Sequence, residues 1–130
     1  IVASPTSANV HIYRHWANAA ITKIQTIKSA NIATVNSISM STDQHRLYIG
    51  DATNNIVESY YTTNASWANT AYTWTTTVTG TAATQFGNVV KTNSDGTRLF
   101  VGAPSATNSF TISSPNFFAE ATAVPLPTVV

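Results

Sequence analysis

Cysteine is absent from this 130-residue chain, and charged side chains are scarce. Each shortage removes a class of function. Without cysteine there can be neither a disulfide nor a thiolate metal site. Asp, Glu, Lys and Arg make up 8% of the residues, against about 25% in an ordinary soluble domain. The net charge of +1 is too small to attract nucleic acid or an anionic membrane. Only 5 residues are acidic, which leaves little room for acid–base catalysis. No apolar run approaches the ~18 residues that a membrane-spanning helix needs, and no signal peptide is recognisable. A nucleophile elbow of the G-x-S-x-G type is missing, as is a Gly-rich phosphate loop.

What remains is polar, uncharged and apolar in alternation. Thr, Ser, Asn and Ala supply about half of the chain, yet 43% of it is hydrophobic and 10% aromatic, which argues against disorder. A low-charge surface repels copies of itself weakly, so it suits a protein whose faces are covered by neighbours, or an extracellular setting. β-Branched and aromatic residues cluster in short runs punctuated by Gly, Asn, Asp and Pro, the pattern of strands. The runs predict strands near 1–3, 9–14, 21–27, 34–40, 46–50, 56–61, 72–78, 86–91, 98–102 and 109–113. Alternation is clear in Val35-Asn36-Ser37-Ile38-Ser39-Met40. It is clear also from Ile21 to Ile27, with a slip of one residue in the middle. No stretch shows a helical apolar period, so the fold class is all-β.

The chain also repeats itself. Ser41-Thr42-Asp43-Gln44-His45-Arg46-Leu47-Tyr48-Ile49-Gly50 returns 52 residues later as Asn93-Ser94-Asp95-Gly96-Thr97-Arg98-Leu99-Phe100-Val101-Gly102. Ile1-Val2-Ala3-Ser4-Pro5 lines up with the end of that motif, and Trp16-Ala17-Asn18 returns as Trp67-Ala68-Asn69. A period near 50 residues signals propeller blades or another stacked array. Each unit holds four short antiparallel strands, the content of one blade. The expected organisation is about two and a half blades over 1–114: a partial one (1–33), a full one (34–85) and a partial one (86–114). A Pro-containing extended tail covers 115–130, as an edge strand or an arm on a neighbour. A β-sandwich is the alternative arrangement of the same strands. Starting at Ile1 on what reads as a strand, the chain is expected to be a processed product or a segment of a longer protein.

Asp95-Gly96 between apolar runs is a hairpin signal, since Gly accepts the positive φ of a tight turn. Asp43-Gln44 stands there in the earlier copy, which implies a different or slightly strained turn. Both Asp43 and Asp95 are expected to cap the turn through backbone amides. Leu47, Leu99, Gly50, Gly102, Trp16 and Trp67 recur in register and are expected to form the repeat core.

Phe86-Gly87, Ser94-Asp95-Gly96 and Leu99-Phe100-Val101-Gly102-Ala103-Pro104 together resemble an FG-GAP repeat, the blade unit of integrin-α-type β-propellers. The resemblance covers most of residues 1–113. It is degenerate in the middle copy, where Thr34-Val35 replaces Phe-Gly and Gly50-Asp51-Ala52 replaces Gly-Ala-Pro. It implies an interaction surface for protein or glycan and no chemistry. The calcium loop of that family needs several carboxylates, whereas Lys91-Thr92-Asn93-Ser94-Asp95-Gly96 offers one.

Other candidates are weaker than their bland explanations. Asp43 and Asp95 sit one repeat apart, which favours turns over a catalytic dyad. Asp51 and Glu58 flank one segment, and Glu58 reads as half of a solvated ion pair. His11 and His15 would lie about 13 Å apart on a strand, too far to share an ion, and His45 sits in a turn. Tyr61 and Trp74 have no aromatic at the matching repeat position (Arg14 and Lys23 stand there). With Asn64, the start of an Asn-Ala-Ser sequon, they make a candidate contact surface on which a sugar could stack.

The expectation from sequence is therefore a non-enzymatic structural or adhesive β-repeat module, with no catalytic residues, metal or cofactor. Its expected setting is extracellular or the surface of a virion, as a capsid, tail or fibre part. Other protein subunits are the expected partners, with glycan possible and with neither nucleic acid nor membrane. A glycan- or receptor-binding propeller is the alternative.

Overall fold

Short β-branched runs ended by Gly, Asn, Asp or Ser become strands wherever one face can be covered. The structure, a computed structural model, describes residues 1–14, 20–63, 71–80, 82–104, 110–116 and 119–125. Among these residues there are eleven strands: β1 (Val2–Ser4), β2 (Asn9–Arg14), β3 (Thr22–Lys28), β4 (Ser37–Met40), β5 (Arg46–Asp51), β6 (Ile56–Tyr61), β7 (Thr73–Thr79), β8 (Val89–Thr92), β9 (Leu99–Gly102), β10 (Phe110–Asn116) and β11 (Ala119–Pro125). The one helical segment among the described residues is a 3-10 turn at Pro5–Ser7. Every sheet is an antiparallel meander: β1-β2-β3, β4-β5-β6-β7 and β8-β9-β10-β11. Matching the repeats makes β1, β5 and β9 equivalent, so the first sheet corresponds to the last three strands of the other two.

The three sheets stack as blades, and two apolar layers separate them. One layer holds Val10, Ile12 and Ile27 from the first blade with Leu47, Ile49 and Tyr60 from the second. The other holds Tyr48 and Val57 with Val90, Leu99 and Val101. Strand alternation does the sorting: Leu47 and Ile49 face one neighbour while Tyr48 between them faces the other. Leu47 and Leu99 are fully buried. Gly50 is required by close approach, because a Cβ there would lie 2.2 Å from the Gly87 carbonyl oxygen. Gly102 has more room: a Cβ there would lie 3.4 Å from Val89 Cβ.

The slip in the alternation around Ile24 is a β-bulge. Ile12 pairs with Gln25 and Tyr13 with Lys23, which leaves Ile24 as the extra residue. The second blade repeats the bulge at the same place, where Ser59 pairs with Thr76 and Tyr60 with Trp74. Both bulges re-aim the start of an outer strand.

Asp95 and Asp43 close equivalent turns. Asp95 Oδ1 accepts the Thr97 N–H (2.9 Å) and hydroxyl (2.6 Å). Asp43 Oδ1 accepts the His45 N–H (3.1 Å) and the Ser41 hydroxyl. The hydroxyl bonds hold both carboxyls below their ordinary pKa. Gly96 has φ 72 and Gln44 has φ 61, so the two turns share a left-handed residue although only one is glycine. The Gln44 backbone therefore carries strain of roughly 1 kcal/mol.

Three strand limits differ from the sequence reading. β4 begins at Ser37, because the Ala33 and Thr34 N–H groups are held by the Asp51 carboxylate. β8 begins at Val89, after a turn in which Asn88 N–H donates to Gln85 O and Gly87 has φ 95. The third blade runs past residue 114: β11 pairs with β10 and forms the sheet edge. Its Pro125 sits there without breaking a ladder, and Pro115 falls at the register shift between Ser114 and Asn116.

Tyr48 ties the second layer together. Its ring is buried and its hydroxyl donates to Gly96 O at 2.6 Å. Burial pushes the hydroxyl pKa from 10.0 up to about 12. A raised folded-state value means that this contribution is intact below pH 10 and is lost as pH rises towards 12. Tyr48→Phe should lower stability by about 1 kcal/mol at pH 7, measured by urea denaturation. The variant should then lose less of its stability than the parent between pH 10 and 12. Parallel losses in that window would contradict the assignment.

Candidate functional site

β6 alternates Ile56, Glu58 and Tyr60 towards the first blade, so Glu58 enters the apolar layer and needs partners there. It has them. Glu58 is fully buried; its Oε1 accepts the Ser29 hydroxyl (2.8 Å) and the Asn31 amide (3.1 Å). Its Oε2 accepts the Tyr60 hydroxyl at 2.6 Å. Burial first, and then the bonded Glu58 carboxylate, raise the Tyr60 pKa well above its ordinary value. Tyr60 therefore stays a donor. The solvated ion pair read from sequence is corrected: Glu58 is buried and held by neutral donors. Its phase with Ile56 and Tyr60 was the signal available in the sequence.

Asp51 is the second buried acid. Oδ2 accepts the Ala33 N–H at 2.6 Å and the Thr34 N–H at 3.3 Å; Oδ1 accepts those of Thr53 and Asn54. All four of these donors are backbone groups, so Asp51 fastens the linker that joins the first two blades. Gln25 on β3 adds a clamp, donating to Tyr72 O and accepting the Tyr72 N–H.

Beside this network lies a cleft of about 440 Å³, lined among others by Gln25, Lys28, Asn31, Glu58, Tyr60 and Trp74. A second groove of about 450 Å³ includes Arg46, Tyr61, Thr73 and Trp74. Trp74 is 54% exposed and stands between the two, with its indole N–H on Thr77 Oγ1 at 3.3 Å. Tyr61 stacks on His45 with ring centroids 5.9 Å apart, and His45 Nδ1–H donates to Thr62 O. The structure thus brings Tyr61 and Trp74 to one groove.

Other sequence candidates go elsewhere. Asn64, Trp16, Trp67 and His15 lie outside the described residues. His11 Nδ1 meets Thr26 Oγ1 at 3.1 Å. The Lys91–Gly96 loop spends Asn93 Oδ1 on the Arg98 N–H and Asp95 Oδ1 on Thr97. Among the described residues no three His, Asp or Glu side chains group around a common point. No helix there is long and apolar enough to cross a membrane.

Stacked four-stranded antiparallel meanders with a repeated inner strand are the blades of a β-propeller. No family model and no curated protein matches the chain. Among solved structures it is similar to the crystal structure of a putative 6-phosphogluconolactonase from Bacteroides fragilis. The TM-score is 0.70 at 18% identity, over 92% of this chain and 33% of that one. The chain thus spans about a third of that protein's length. The likeness shows the fold: all-β propeller-type blades, with no need for the sandwich alternative. It also corrects the expectation that the chain is not an enzyme. The blade architecture had suggested a purely structural part, but here it is shared with a protein named for a lactonase activity, and blades as such exclude no chemistry.

Glu58→Ala should cost about 3 kcal/mol, since it empties a buried site, leaves the buried Tyr60 hydroxyl without its acceptor and releases the half-buried Ser29 and the exposed Asn31. Glu58→Gln keeps an acceptor for Ser29 and Asn31 and should cost about 1 kcal/mol. Urea denaturation of both variants checks the order; equal and negligible losses would contradict the network.

Proposed function

We propose that this chain contributes blades and a sugar-recognising cleft to a β-propeller of lactonase-like build. The ligand class is a polyhydroxylated, sugar-derived molecule, with an aldonolactone or its open-chain acid as the type. The observation that carries the reading is Trp74, a largely exposed indole at the mouth of a cleft floored by the Glu58 network. An indole face takes the C–H face of a sugar, while neighbouring amides and hydroxyls bond to its hydroxyl groups. Gln25 and Asn31 supply the amides here, and Lys28 supplies a cation for a carboxylate or phosphate. The fold neighbour's name supports the same ligand class.

Each residue has a distinct task on this reading. Trp74 supplies apolar area, Lys28 selects for an anionic group, and Glu58 holds Ser29 and Asn31 in place. Water attack on the lactone carbonyl would open the ring and release an acid, whose new negative charge Lys28 meets.

Titration of the chain with gluconate and with 6-phosphogluconate, followed by calorimetry, tests the proposal. Saturable binding is expected, tighter for the phosphorylated acid, with Trp74→Ala weakening it at least tenfold, or about 1.4 kcal/mol. No binding up to about 10 mM, the weak end of specific recognition at roughly −3 kcal/mol, would overturn the reading. So would equal affinity in Trp74→Ala.

A further inference from the structure

Trp74 borders two hollows, and an acid placed in the cleft fills only one of them. The other, the groove of about 450 Å³, is lined by residues from Arg46 to Thr75. All of these belong to the second blade, which is packed on a neighbour at each side. A bulge explains why one indole reaches both hollows. Ser59 pairs with Thr76 and Tyr60 with Trp74, so Thr75 is the extra residue, and Thr75 itself lines the groove. The bulge turns the start of β7 and Trp74 with it.

Blade packing does not require the two aromatic rings of the groove. In the first blade Arg14 and Lys23 take the register positions of Tyr61 and Trp74. Both rings reach solvent here, yet neither is loose. The Trp74 indole N–H is on Thr77 Oγ1, and Tyr61 stacks on His45 with 27° between the rings. His45 is itself fixed by Thr62 O at 2.7 Å. A ring already held in place loses little conformational freedom when a ligand covers it.

The chemistry of the two hollows differs. The cleft offers Lys28 with the amides of Gln25 and Asn31, which suits a charged end. The groove offers the hydroxyls of Thr63, Thr73 and Thr75 beside the two rings, and no carboxylate among its described lining residues. A threonine hydroxyl both donates and accepts, as a sugar hydroxyl does. Each hollow falls within the roughly 300–1,000 Å³ of small-ligand sites. We propose that the groove is a second sugar subsite, so that the ligand is a glycoside of an aldonic acid. Its acid end lies in the cleft near Lys28, and its neutral glycosyl unit lies in the groove against Tyr61. Trp74 is the wall that the two units share. The inference rests on the reading that places the acid in the cleft.

Calorimetric titration with gluconate, lactobionate and melibionate tests this. The last two are gluconate carrying a galactosyl unit, on O4 and on O6. At least one of them should bind about tenfold or more tighter than gluconate. Tyr61→Ala should abolish that gain and leave gluconate affinity unchanged, whereas Tyr61→Phe, which keeps the ring, should preserve the gain. Circular dichroism checks that both variants are folded. Gluconate binding with no gain from either galactosyl unit would overturn the subsite and leave the cleft reading intact. A gain that survives Tyr61→Ala would do the same. Failure of gluconate itself to bind would strike the cleft reading, and this inference with it.

Discussion

Packing of the second blade against a sheet on each side is the constraint from which the other features follow. β5 reads Leu47-Tyr48-Ile49-Gly50-Asp51, and all five residues are buried. Alternation sends Leu47 and Ile49 into one layer and Tyr48 into the other. Each fully buried side chain of this size is worth roughly 1.5–3 kcal/mol. Strands this short cannot support an isolated sheet, so the layers between sheets hold the fold. Gly50 sets how closely the second and third blades approach, because Gly87 O and Val90 leave no space for a side chain.

Such close stacking forces polar groups into apolar layers, where an unpaired one costs several kcal/mol. The chain solves this locally. Asp51 takes four backbone N–H groups, Glu58 takes three side-chain donors, and the Tyr48 hydroxyl reaches the Gly96 carbonyl. Each of these networks bridges chain segments far apart in sequence, so each also fixes how one blade sits on the next. The cleft proposed for ligand lies beside one of them. A wall of that kind is rigid at Glu58 and open at Trp74, which suits recognition of a small polar molecule.

Much of the fold was legible because it is written in local patterns. The 52-residue repeat, the Asp-Gly turn and the alternating runs located most strands, and the slip at Ile24 marked a bulge. The site was far less legible. Glu58 looks like a surface acid when only its neighbours in sequence are considered, and its donors Ser29 and Asn31 come from 29 and 27 residues away. The turn at Gln44 copies the conformation of Gly96 without its glycine, so propensity alone would give it a different shape. β11 has no earlier copy to match, and its prolines left open whether the segment was the edge strand it forms or an arm on a neighbour. The expectation of a module without chemistry failed for a different reason: it rested on architecture, and architecture does not fix activity.

Native-state hydrogen exchange of the backbone amides tests the central claim most directly. If the two layers around the second blade hold the molecule together, the amides of β5 and β6 should exchange only through global unfolding and be the slowest in the chain. Exchange of β5 as fast as that of the outer strands β3 and β7 would contradict the account.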